Sequence, residues 1–449
     1  MSSRLHISAR ITLLVALTSI GAFAEDRYLV KVNGDVNEVA KRYGLTVVKS
    51  LGGSGSGRHV LSYKGAQPLN VLRNLSTEFA VSSAEAEKPV RLPGIKPATA
   101  VHPSSAGPGP TRFSSTLIRY HDTYASSAYV NQPATDVINM DRAHTLATGS
   151  GTVATIDTGV DFTHSVLRGS LTPGWDFVHN WPLGQEMADL NQETTPILDQ
   201  ETTPILDQET TPILDGGSAI ILQQETTPIL DQETTPILDG RKYPAYGHGT
   251  MVAGLIHLIA PDAKIMPLRA FGADGSATVS QIVAAIYFAV DRKVDVINMS
   301  FSVKQDSPAL REALEFASSK GLILVASAGN DGQATEVWPA SYSNVMGIAS
   351  TNNQKIRSLF SNYGNSLVTL AAPGEGIITL YPKEHYAQVW GTSFSAPMVS
   401  GAAALLLDMN RKTDEGMAVS ALSNATAIGQ ELGAGELDLY QAVLAAKRK

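Results

Sequence analysis

Two patterns of apolar residues divide this chain into two parts. From about residue 129 onward, short apolar runs typical of buried strands alternate with stretches of helical periodicity at residues 279–293 and 307–321. This alternation predicts an α/β fold with a doubly wound, mostly parallel sheet and helices on both faces. The predicted strands are residues 151–157, 263–271, 294–301, 322–329, 345–351 and 367–374.

The first part of the chain has a different pattern. Residues 27–64 combine a strand-like alternation, a helix-like run and two β-rich runs around a glycine-rich turn, and an apolar-periodic stretch continues to about residue 88. A segment rich in Pro, Gly and Ser follows, which is typical of an exposed linker. We therefore predict a small α+β domain at residues 25–90, a linker at 91–128 and the α/β domain at 129–449.

Residues 1–24 have the features of an export signal. Arg4 and Arg10 precede an apolar run, and the sequence AFA, which ends at Ala24, fits a small-x-small cleavage site. A buried N-terminal helix is the alternative. No second run of about 20 apolar residues occurs, so we predict a secreted protein with no membrane span after signal removal. Cysteine is absent, which excludes disulfides and thiolate chemistry.

Eight-residue repeats interrupt the α/β domain at residues 192–239. Five copies of QETTPILD surround one different octad, GGSAIILQ. A Pro in every copy disfavours regular helix, and two large apolar side chains per copy are too few for a core. We interpret the segment as a mobile surface insertion. The alternatives are a small β-solenoid that stacks the Ile-Leu pairs and a surface that binds cations weakly.

The repeats also account for the acidity of the chain. Each copy carries one Glu and one Asp, so five copies contribute −10 to a net charge of −8, and the remainder is near +2. Because no basic patch remains, the protein is not expected to bind nucleic acid. The composition is otherwise that of an ordinary globular protein.

Three polar side chains lie where predicted strands end or apolar helices begin. Asp157 closes the strand in TVATIDTGVD, His248 opens the helix of YGHGTMVAGLIHLI, and Ser393 opens the helix of GTSFSAPMVSGAAALLLDM. A serine hydroxyl becomes a nucleophile when an imidazole accepts its proton and a carboxylate fixes the imidazole tautomer. Such groups collect at the carboxyl ends of parallel strands. Taken singly, each residue also fits a strand-end or helix cap.

In these motifs the chain resembles the subtilisin-like serine peptidases. The resemblance rests on IDTGVD, GHGTMVAG and GTSFSAP, and it extends over about residues 129–446, including GAGELDLYQAV. It implies that Asp157 orients the base, His248 is the general base and acid, and Ser393, directly after the Gly-Thr pair, is the nucleophile. The chain order Asp, His, Ser is the one known for subtilisin. Ser395 has no catalytic role in this assignment.

An oxyanion forms when a carbonyl group is attacked, and it needs preorganised donors. The resemblance implies that the side chain of Asn330, in ASAGND, and the backbone N–H of Ser393 supply them. Judged by its residues alone, the sequence Asn-Asp-Gly is also a turn signal.

The same resemblance predicts where a peptide substrate binds. GADGSA and INMSFSV are similar to the two segments between which the family binds its substrate as an added strand, which gives broad specificity. Ser302 stands where the family usually has Gly, and Val337 stands at the floor of the first specificity pocket. We therefore expect a preference for small or medium apolar side chains before the cut bond. The candidate substrate-binding residues are Gly275, Ser276, Ala277, Ser300, Phe301, Ser302 and Val337.

No metal ion or cofactor is predicted. Many family members bind calcium in a loop just after the helix of the catalytic histidine, but here GLIHLIAPDAKI continues without such a loop. Val166 stands where the family often has a calcium-binding Asp. Asp residues elsewhere are interpreted as solvated surface.

The predicted partners are polypeptide substrates and the chain's own N-terminal domain. Residues 25–90 resemble the prosegment of this family, which assists folding, covers the cleft and is then removed. A permanent binding module is the alternative. We expect processing between about residues 90 and 128, and a monomer by default.

These observations favour an exported, autoprocessing serine endopeptidase that works through an acyl-enzyme. A catalytically inactive, repeat-bearing binding or surface protein is the alternative from another functional class. Hydrolysis of small esters and peptide ligation are also chemically allowed, because an acyl-enzyme does not dictate its acceptor.

Trimming residues 192–239 to a single QETTPILD unit is expected to leave peptide hydrolysis intact, because the segment contains none of the predicted catalytic residues. The measurement compares kcat/KM of the trimmed and full-length enzymes on one peptide substrate. A trimmed protein that keeps its circular dichroism spectrum but loses activity would contradict the interpretation of a passive insertion.

Overall fold

The computed structural model describes residues 26–52, 57–64, 68–92, 116–186, 219–221 and 243–447. The predicted export signal and all five copies of QETTPILD lie outside the described residues. Within the described ranges, no helix is long and apolar enough to cross a membrane.

The N-terminal unit is a four-stranded antiparallel sheet with two helices on one face. Its elements are β1 (Asp26–Val32), α1 (Val36–Tyr43), β2 (Thr46–Leu51), β3 (Arg58–Tyr63), α2 (Pro68–Thr77) and β4 (Val81–Ala86). The strands lie in the order β2-β3-β1-β4, which is a ferredoxin-like arrangement. The apolar-periodic stretch that continues to residue 88 is divided between α2 and β4, because a turn at residues 79–80 reverses the chain.

The large unit is organised around an eight-stranded sheet. After β5 (Pro89–Arg91), which directly follows the N-terminal unit, the elements are β6 (Leu117–Tyr120), β7 (Thr123–Ser126), α3 (Ser127–Val130), α4 (Pro133–Val137), α5 (Met140–His144), β8 (Thr152–Asp157), β9 (Gly174–Asp176), β10 (Trp181–Leu183), β11 (Ala219–Ile221), α6 (His248–Ile259), β12 (Lys264–Arg269), β13 (Ser276–Thr278), α7 (Val279–Asp291), β14 (Val296–Met299), α8 (Pro308–Ser319), β15 (Ile323–Ser327), β16 (Met346–Thr351), β17 (Leu370–Pro373), β18 (Ile377–Tyr381), β19 (His385–Val389), α9 (Thr392–Met409), α10 (Glu415–Leu422), a 3-10 helix (Gln430–Leu432) and α11 (Leu439–Lys447).

The sheet runs in the order β10-β9-β12-β8-β14-β15-β16-β17. All neighbouring strands in it are parallel except the edge pair of β10 and β9. The six strands predicted from the apolar runs correspond to β8, β12, β14, β15, β16 and β17. The predicted doubly wound, mostly parallel α/β architecture is therefore confirmed.

Helices cover both faces of this sheet. α6 and α9 pack together on one face, whereas α7 and α8 cover the other. Successive side chains of β8 point to opposite faces of the sheet. Val153 belongs to the core around α6 and α9, whereas Ala154 and Ile156 belong to the core around α7 and α8. Burial on both faces explains why the sheet strands are continuous apolar runs in the sequence.

A hairpin of β18 and β19 packs against α6 and leads into α9. Residues 219–221, from the odd octad GGSAIILQ, add β11 to β19 as a parallel strand. This is the only part of residues 192–239 that the structure describes, so the passive role of the repeats stays a prediction.

The ordered large unit begins before the predicted boundary at residue 129. β6 and β7 form a hairpin, and Tyr120 and Ala125 belong to the core around α6 and α9. The Tyr120 hydroxyl donates a hydrogen bond of 2.5 Å to the carbonyl oxygen of Leu258. The predicted linker at 91–128 therefore extends too far at its C-terminal end. The Pro-, Gly- and Ser-rich composition that indicated a linker stops before β6.

Candidate active site

Asp157 ends β8 at the carboxyl edge of the sheet and is 1% exposed. The N–H of Thr158 donates to Asp157 Oδ1 over 2.8 Å. The N–H groups of Ala270 and Phe271, just after β12, donate to the Asp157 carbonyl oxygen over 2.9 and 3.1 Å. The backbone of Asp157 is therefore held by the segment that follows β12, and its carboxylate is held by the N–H of the next residue.

His248 is the first residue of α6 and is buried. The chain enters the helix through Gly247, whose φ of 90° suits glycine, and a Cβ at this position would collide with the Tyr381 ring. His248 Nδ1 lies 2.7 Å from Asp157 Oδ1. Because an ionised carboxylate only accepts hydrogen bonds, Nδ1 carries the proton and Nε2 is the basic nitrogen.

Charge around the imidazole changes its ionisation. Burial alone would lower the pKa of His248, but the charge and hydrogen bond of Asp157 and the charge of Glu186 raise this pKa above its ordinary value. A general base must be neutral, so activity that depends on His248 increases as the pH rises through this pKa.

Ser393 is the second residue of α9 and is fully buried. Its hydroxyl donates to the carbonyl oxygen of Ser300 over 3.1 Å, and the Ser300 hydroxyl donates to the carbonyl oxygen of Ser393 over 2.8 Å. His248 Nε2 has no hydrogen-bond partner among the described residues. The Ser393 hydroxyl is therefore bonded to Ser300 and not to Nε2 in this structure, and catalytic hydrogen bonds commonly tighten only in the substrate complex.

Asn330 lies after β15, beside the start of α9. Its Oδ1 accepts hydrogen bonds from the N–H of Thr392 over 3.0 Å and from the Thr392 hydroxyl over 2.8 Å. Both donors bind the amide oxygen, so the Nδ2 group of Asn330 is not the end that faces Thr392. The Ser393 N–H belongs to the first turn of α9, where N–H groups lack partners within the helix. An amide side chain and a helix N-terminus can thus stabilise an oxyanion together.

The predicted substrate-binding edge at Gly275, Ser276 and Ala277 already pairs with a strand of this chain. β5 lies antiparallel to β13, with Ala277 opposite Val90. The N–H of Leu92 donates to the carbonyl oxygen of Gly275 over 2.9 Å. Residues 88–92 therefore lie along this edge as an added strand.

The other predicted substrate-binding residues lie in two segments, after β14 and before Pro339. Phe301 is fully buried and Ser302 is half-buried. Val303 and Trp338 exchange backbone hydrogen bonds of 2.7 and 2.9 Å, which hold this segment next to Val337. Val337 is 2% exposed, and its Cγ2 would lie 3.5 Å from a Cβ on Gly329, the neighbour of Asn330.

Two residues of this site were missed in the sequence. Thr392 orients Asn330, but its place in the GTSFSAP motif gave it no separate role. Glu186 is buried next to Asp157 and His248, and it lies in none of the recognised motifs. An acidic residue of this kind has no signal in the local pattern.

Within the described part of the chain, no three His, Asp or Glu side chains are grouped so that they could hold a metal ion. Val166, at the position where calcium ligation was considered, is 3% exposed and belongs to the apolar core.

Comparison with known proteins identifies related sequences. A family model described as the subtilase family, Peptidase_S8, matches residues 149–441. Thermitase from Thermoactinomyces vulgaris is 30% identical, and the match covers 72% of this chain and 98% of thermitase. Subtilisin Savinase from Lederbergia lenta is 36% identical, and that match covers 36% of this chain and 64% of Savinase.

Two solved structures share the fold. Fervidolysin from Fervidobacterium pennivorans, described as a keratinolytic enzyme related to subtilisin, superimposes with a TM-score of 0.67 at 21% identity, covering 95% of this chain and 62% of fervidolysin. A lanthipeptide protease superimposes with a TM-score of 0.53 at 22% identity, covering 71% of this chain and 93% of that protein. At these identities the likeness shows the fold alone.

Replacing Thr392 with Val removes one of the two donors that hold the amide oxygen of Asn330. We expect kcat to fall about tenfold with little change in KM, because oxyanion stabilisation acts mainly on the transition state. Steady-state kinetics on a peptide substrate measure both constants. Thr413→Val is the matched control, since the Thr413 hydroxyl bonds only to the Leu406 and Asn410 carbonyl oxygens. Equal losses in the two variants would contradict this role of Thr392.

Proposed function

Since this chain belongs to the subtilase family and is a serine endopeptidase of the subtilisin type, we propose that Asp157, His248 and Ser393 form its catalytic triad and that it matures by removing its own N-terminal unit. The resemblance derived from the motifs is thereby confirmed at the level of the family. The observation that carries the proposal is the buried contact of 2.7 Å between His248 Nδ1 and Asp157 Oδ1. Ser393 is bonded to Ser300, just after β14, at the same carboxyl edge of the sheet.

In the proposed mechanism Ser393 Oγ attacks the carbonyl carbon of the scissile peptide bond, and its proton passes to His248 Nε2. Asp157 stabilises the resulting imidazolium. The oxyanion accepts hydrogen bonds from Asn330 Nδ2 and the Ser393 N–H. The imidazolium then donates its proton to the leaving nitrogen and the C–N bond breaks. Water then attacks the acyl carbon while His248 accepts its proton, and the bond between this carbon and Ser393 Oγ breaks as the imidazolium returns the proton to Oγ, which releases the acid.

Residues 25–90 act as the prosegment in this proposal. Strand β5 lies on β13, where a peptide substrate is expected to bind, so the N-terminal unit covers the cleft. Lys88 contributes its carbonyl oxygen to a hydrogen bond of 3.1 Å from the N–H of Val279, and Leu92 is only 2% exposed. A substrate could bind the same edge only after this strand has left.

Two carboxylates of the N-terminal unit bind helix N-termini of the large unit. Glu85 accepts hydrogen bonds from the Ser307 hydroxyl and the N–H of Ala309, over 2.9 and 2.8 Å, at the start of α8. Glu87 accepts the N–H of Ser280 over 3.0 Å at the start of α7. A negative charge at a helix N-terminus is stabilised by the unpaired N–H groups and the helix dipole. These contacts support a prosegment that helps α7 and α8 to form.

An ion pair and an apolar face complete this contact. Arg58 is 1% exposed, and its Nη2 lies 2.8 Å from Glu312 Oε2 in α8. Leu29, Leu51 and Val60, on the face of the sheet opposite α1 and α2, share a core with α7 and α8. Burial of these side chains favours association of the two units before processing.

The proposed specificity is broad, with a small first pocket. A strand bound along β13 is recognised by its backbone, which does not depend on the side chains of the substrate. Val337 is buried beside Gly329, and the half-buried Ser302 adds a side chain where glycine is usual in the family. We propose that small or medium apolar side chains are preferred before the cut bond.

Export of the precursor is also part of the proposal. It is supported by the signal-like pattern of residues 1–24.

The mass of the refolded precursor without residues 1–24, followed over time, tests the catalytic and processing assignments. Wild type is expected to lose about 70 to 100 N-terminal residues, the size of the first domain and its linker. Ser393→Ala is expected to stay whole. Ser395→Ala is the matched control and should still be processed, because the buried Ser395 hydroxyl donates to the Pro373 carbonyl oxygen. A folded wild type that stays whole would favour a non-catalytic binding protein.

A peptide library tests the first specificity pocket. Wild type is expected to prefer small or medium apolar residues before the cut bond, and Val337→Ala should raise the relative kcat/KM for large side chains about tenfold, since one or two methyl groups are worth that much in an apolar pocket. Val345→Ala should leave the profile unchanged, because this buried valine directly precedes the parallel strand β16 and lies at its amino end. A wild-type profile dominated by large aromatic residues would exclude the small pocket.

A further inference from the structure

A buried carboxylate that the mechanism above does not use lies next to the catalytic pair. Glu186 is 1% exposed. Its Oε1 accepts hydrogen bonds from the Thr158 hydroxyl over 2.5 Å and from the N–H of Gly247 over 2.8 Å. Its Oε2 accepts hydrogen bonds from the N–H of Thr250 over 3.0 Å and from the Thr250 hydroxyl. Four donors therefore converge on one side chain.

These donors belong to the two segments that carry the catalytic acid and base. Thr158 directly follows Asp157 at the end of β8. Gly247 and Thr250 lie on either side of His248, in the turn before α6 and in its first helical turn. A movement of the Glu186 carboxylate would therefore change the position of both segments.

A second bond links the two segments through the same threonine. Thr158 Oγ1 accepts the N–H of Gly249 over 2.9 Å while it donates to Glu186. Gly249 also approaches the backbone of Gly159 so closely that a Cβ on it would collide with the Gly159 carbonyl oxygen. The resulting network has little freedom to adjust, because fully bonded buried polar groups hold one geometry.

We propose that Glu186 is a positioning residue of this active site, which joins the loop after β8 to the first turn of α6 and thereby fixes the His248 imidazole against Asp157. The inference deepens the proposed function and rests on it for its kinetic consequences. The geometric part concerns the Asp157 and His248 pair alone, so it can be tested without hydrolysis.

The charge of Glu186 gives this role a measurable signature. Burial and, to a smaller extent, the nearby charge of Asp157 raise the pKa of Glu186 to about 7, against the hydrogen bonds from Thr158 and Thr250. Glu186 in turn is one of the groups that raise the pKa of His248. The ionisation of each group therefore affects that of the other.

Four other titratable or charged groups near this pair keep one charge state. Arg269 donates through Nε to the carbonyl oxygen of Thr158 over 3.0 Å and pairs with Asp176. Burial raises the pKa of Tyr246 and of Tyr381 far above the ordinary tyrosine value, so both stay neutral. Burial alone would raise the pKa of Asp161, but its hydrogen bonds lower it, so this residue stays ionised.

Glu186→Gln tests the proposal, because it keeps the shape of the side chain and removes its charge. With the negative charge gone, the pKa of His248 should fall and the acid limb of the kcat/KM profile should move to lower pH. An amide cannot accept from all four donors, so we expect kcat to fall about 10- to 100-fold with KM nearly unchanged, as for a misplaced catalytic group. A purely structural role would lower the unfolding temperature without moving the acid limb.

Histidine NMR provides a readout that needs no catalysis. In the Ser393→Ala background, which does not cleave itself in the proposed mechanism, the pH titration of the His248 ring nitrogens is compared with and without Glu186→Gln. A lowered His248 pKa supports the proposal even if the wild type proves unable to cut peptides, in which case the proposed function alone fails. An unchanged titration together with kcat within twofold of wild type, in folded protein, would overturn it.

Glu436→Gln is the matched control. Glu436 is also fully buried, and burial raises its pKa to about 7, but it lies beside β17 at the opposite edge of the sheet. This variant should leave the His248 titration unchanged.

If Glu186→Gln does not fold, Thr158→Val and Thr158→Ser replace it. Thr158→Val should lower kcat, whereas Thr158→Ser should keep kcat near the wild-type value, because only Thr158→Ser keeps a hydroxyl for Glu186. Equal kcat values in the two variants would overturn the proposal.

Discussion

The buried hydrogen bond between His248 Nδ1 and Asp157 Oδ1 is the contact on which the rest of this structure depends. It requires the end of β8 and the start of α6 to meet with no water between them. The parallel register of β8 and β12 places Arg269 opposite Asp157 and holds the strand end in place. Two glycines allow the helix to approach, because a side chain at Gly249 would collide with the backbone of Gly159. The chemistry of the site therefore rests on close packing of backbone.

Binding of a negative charge at a helix N-terminus is a feature that recurs at four helices of this structure. Glu186 binds the first turn of α6, Glu85 binds that of α8, and Glu87 binds that of α7. Each carboxylate accepts backbone N–H groups that the helix itself cannot pair. The start of α9 carries Ser393 and faces Asn330 instead, at the place where a negative charge would arise during catalysis. Carboxylates of the chain thus bind three helix starts, and a transient charge is the proposed occupant of the fourth.

Burial on both faces made the central sheet predictable, because its six long strands appear as continuous apolar runs. The edge strands β9 and β10 have three residues each, too short for a periodic signal. The hairpin of β6 with β7 buries only part of its surface, so its mixed composition gave no clear pattern. β18 is fully buried, and its short apolar run was not among the predicted strands. In the N-terminal unit, one apolar-periodic stretch hid the turn between α2 and β4, since helix and strand both contribute apolar residues there.

The sequence by itself determined the family, the α/β order and the candidate catalytic residues, because short glycine-flanked motifs carry Asp157, His248 and Ser393 with the residue types that acyl transfer needs. Only the tertiary structure decided which other groups surround them. Glu186 is 62 positions before His248 and in no motif, yet it binds both catalytic segments. Strand β5 lies on β13 although nearly 190 residues separate them. Contacts of this kind depend on how distant segments pack, and no local pattern of apolar and polar residues records that.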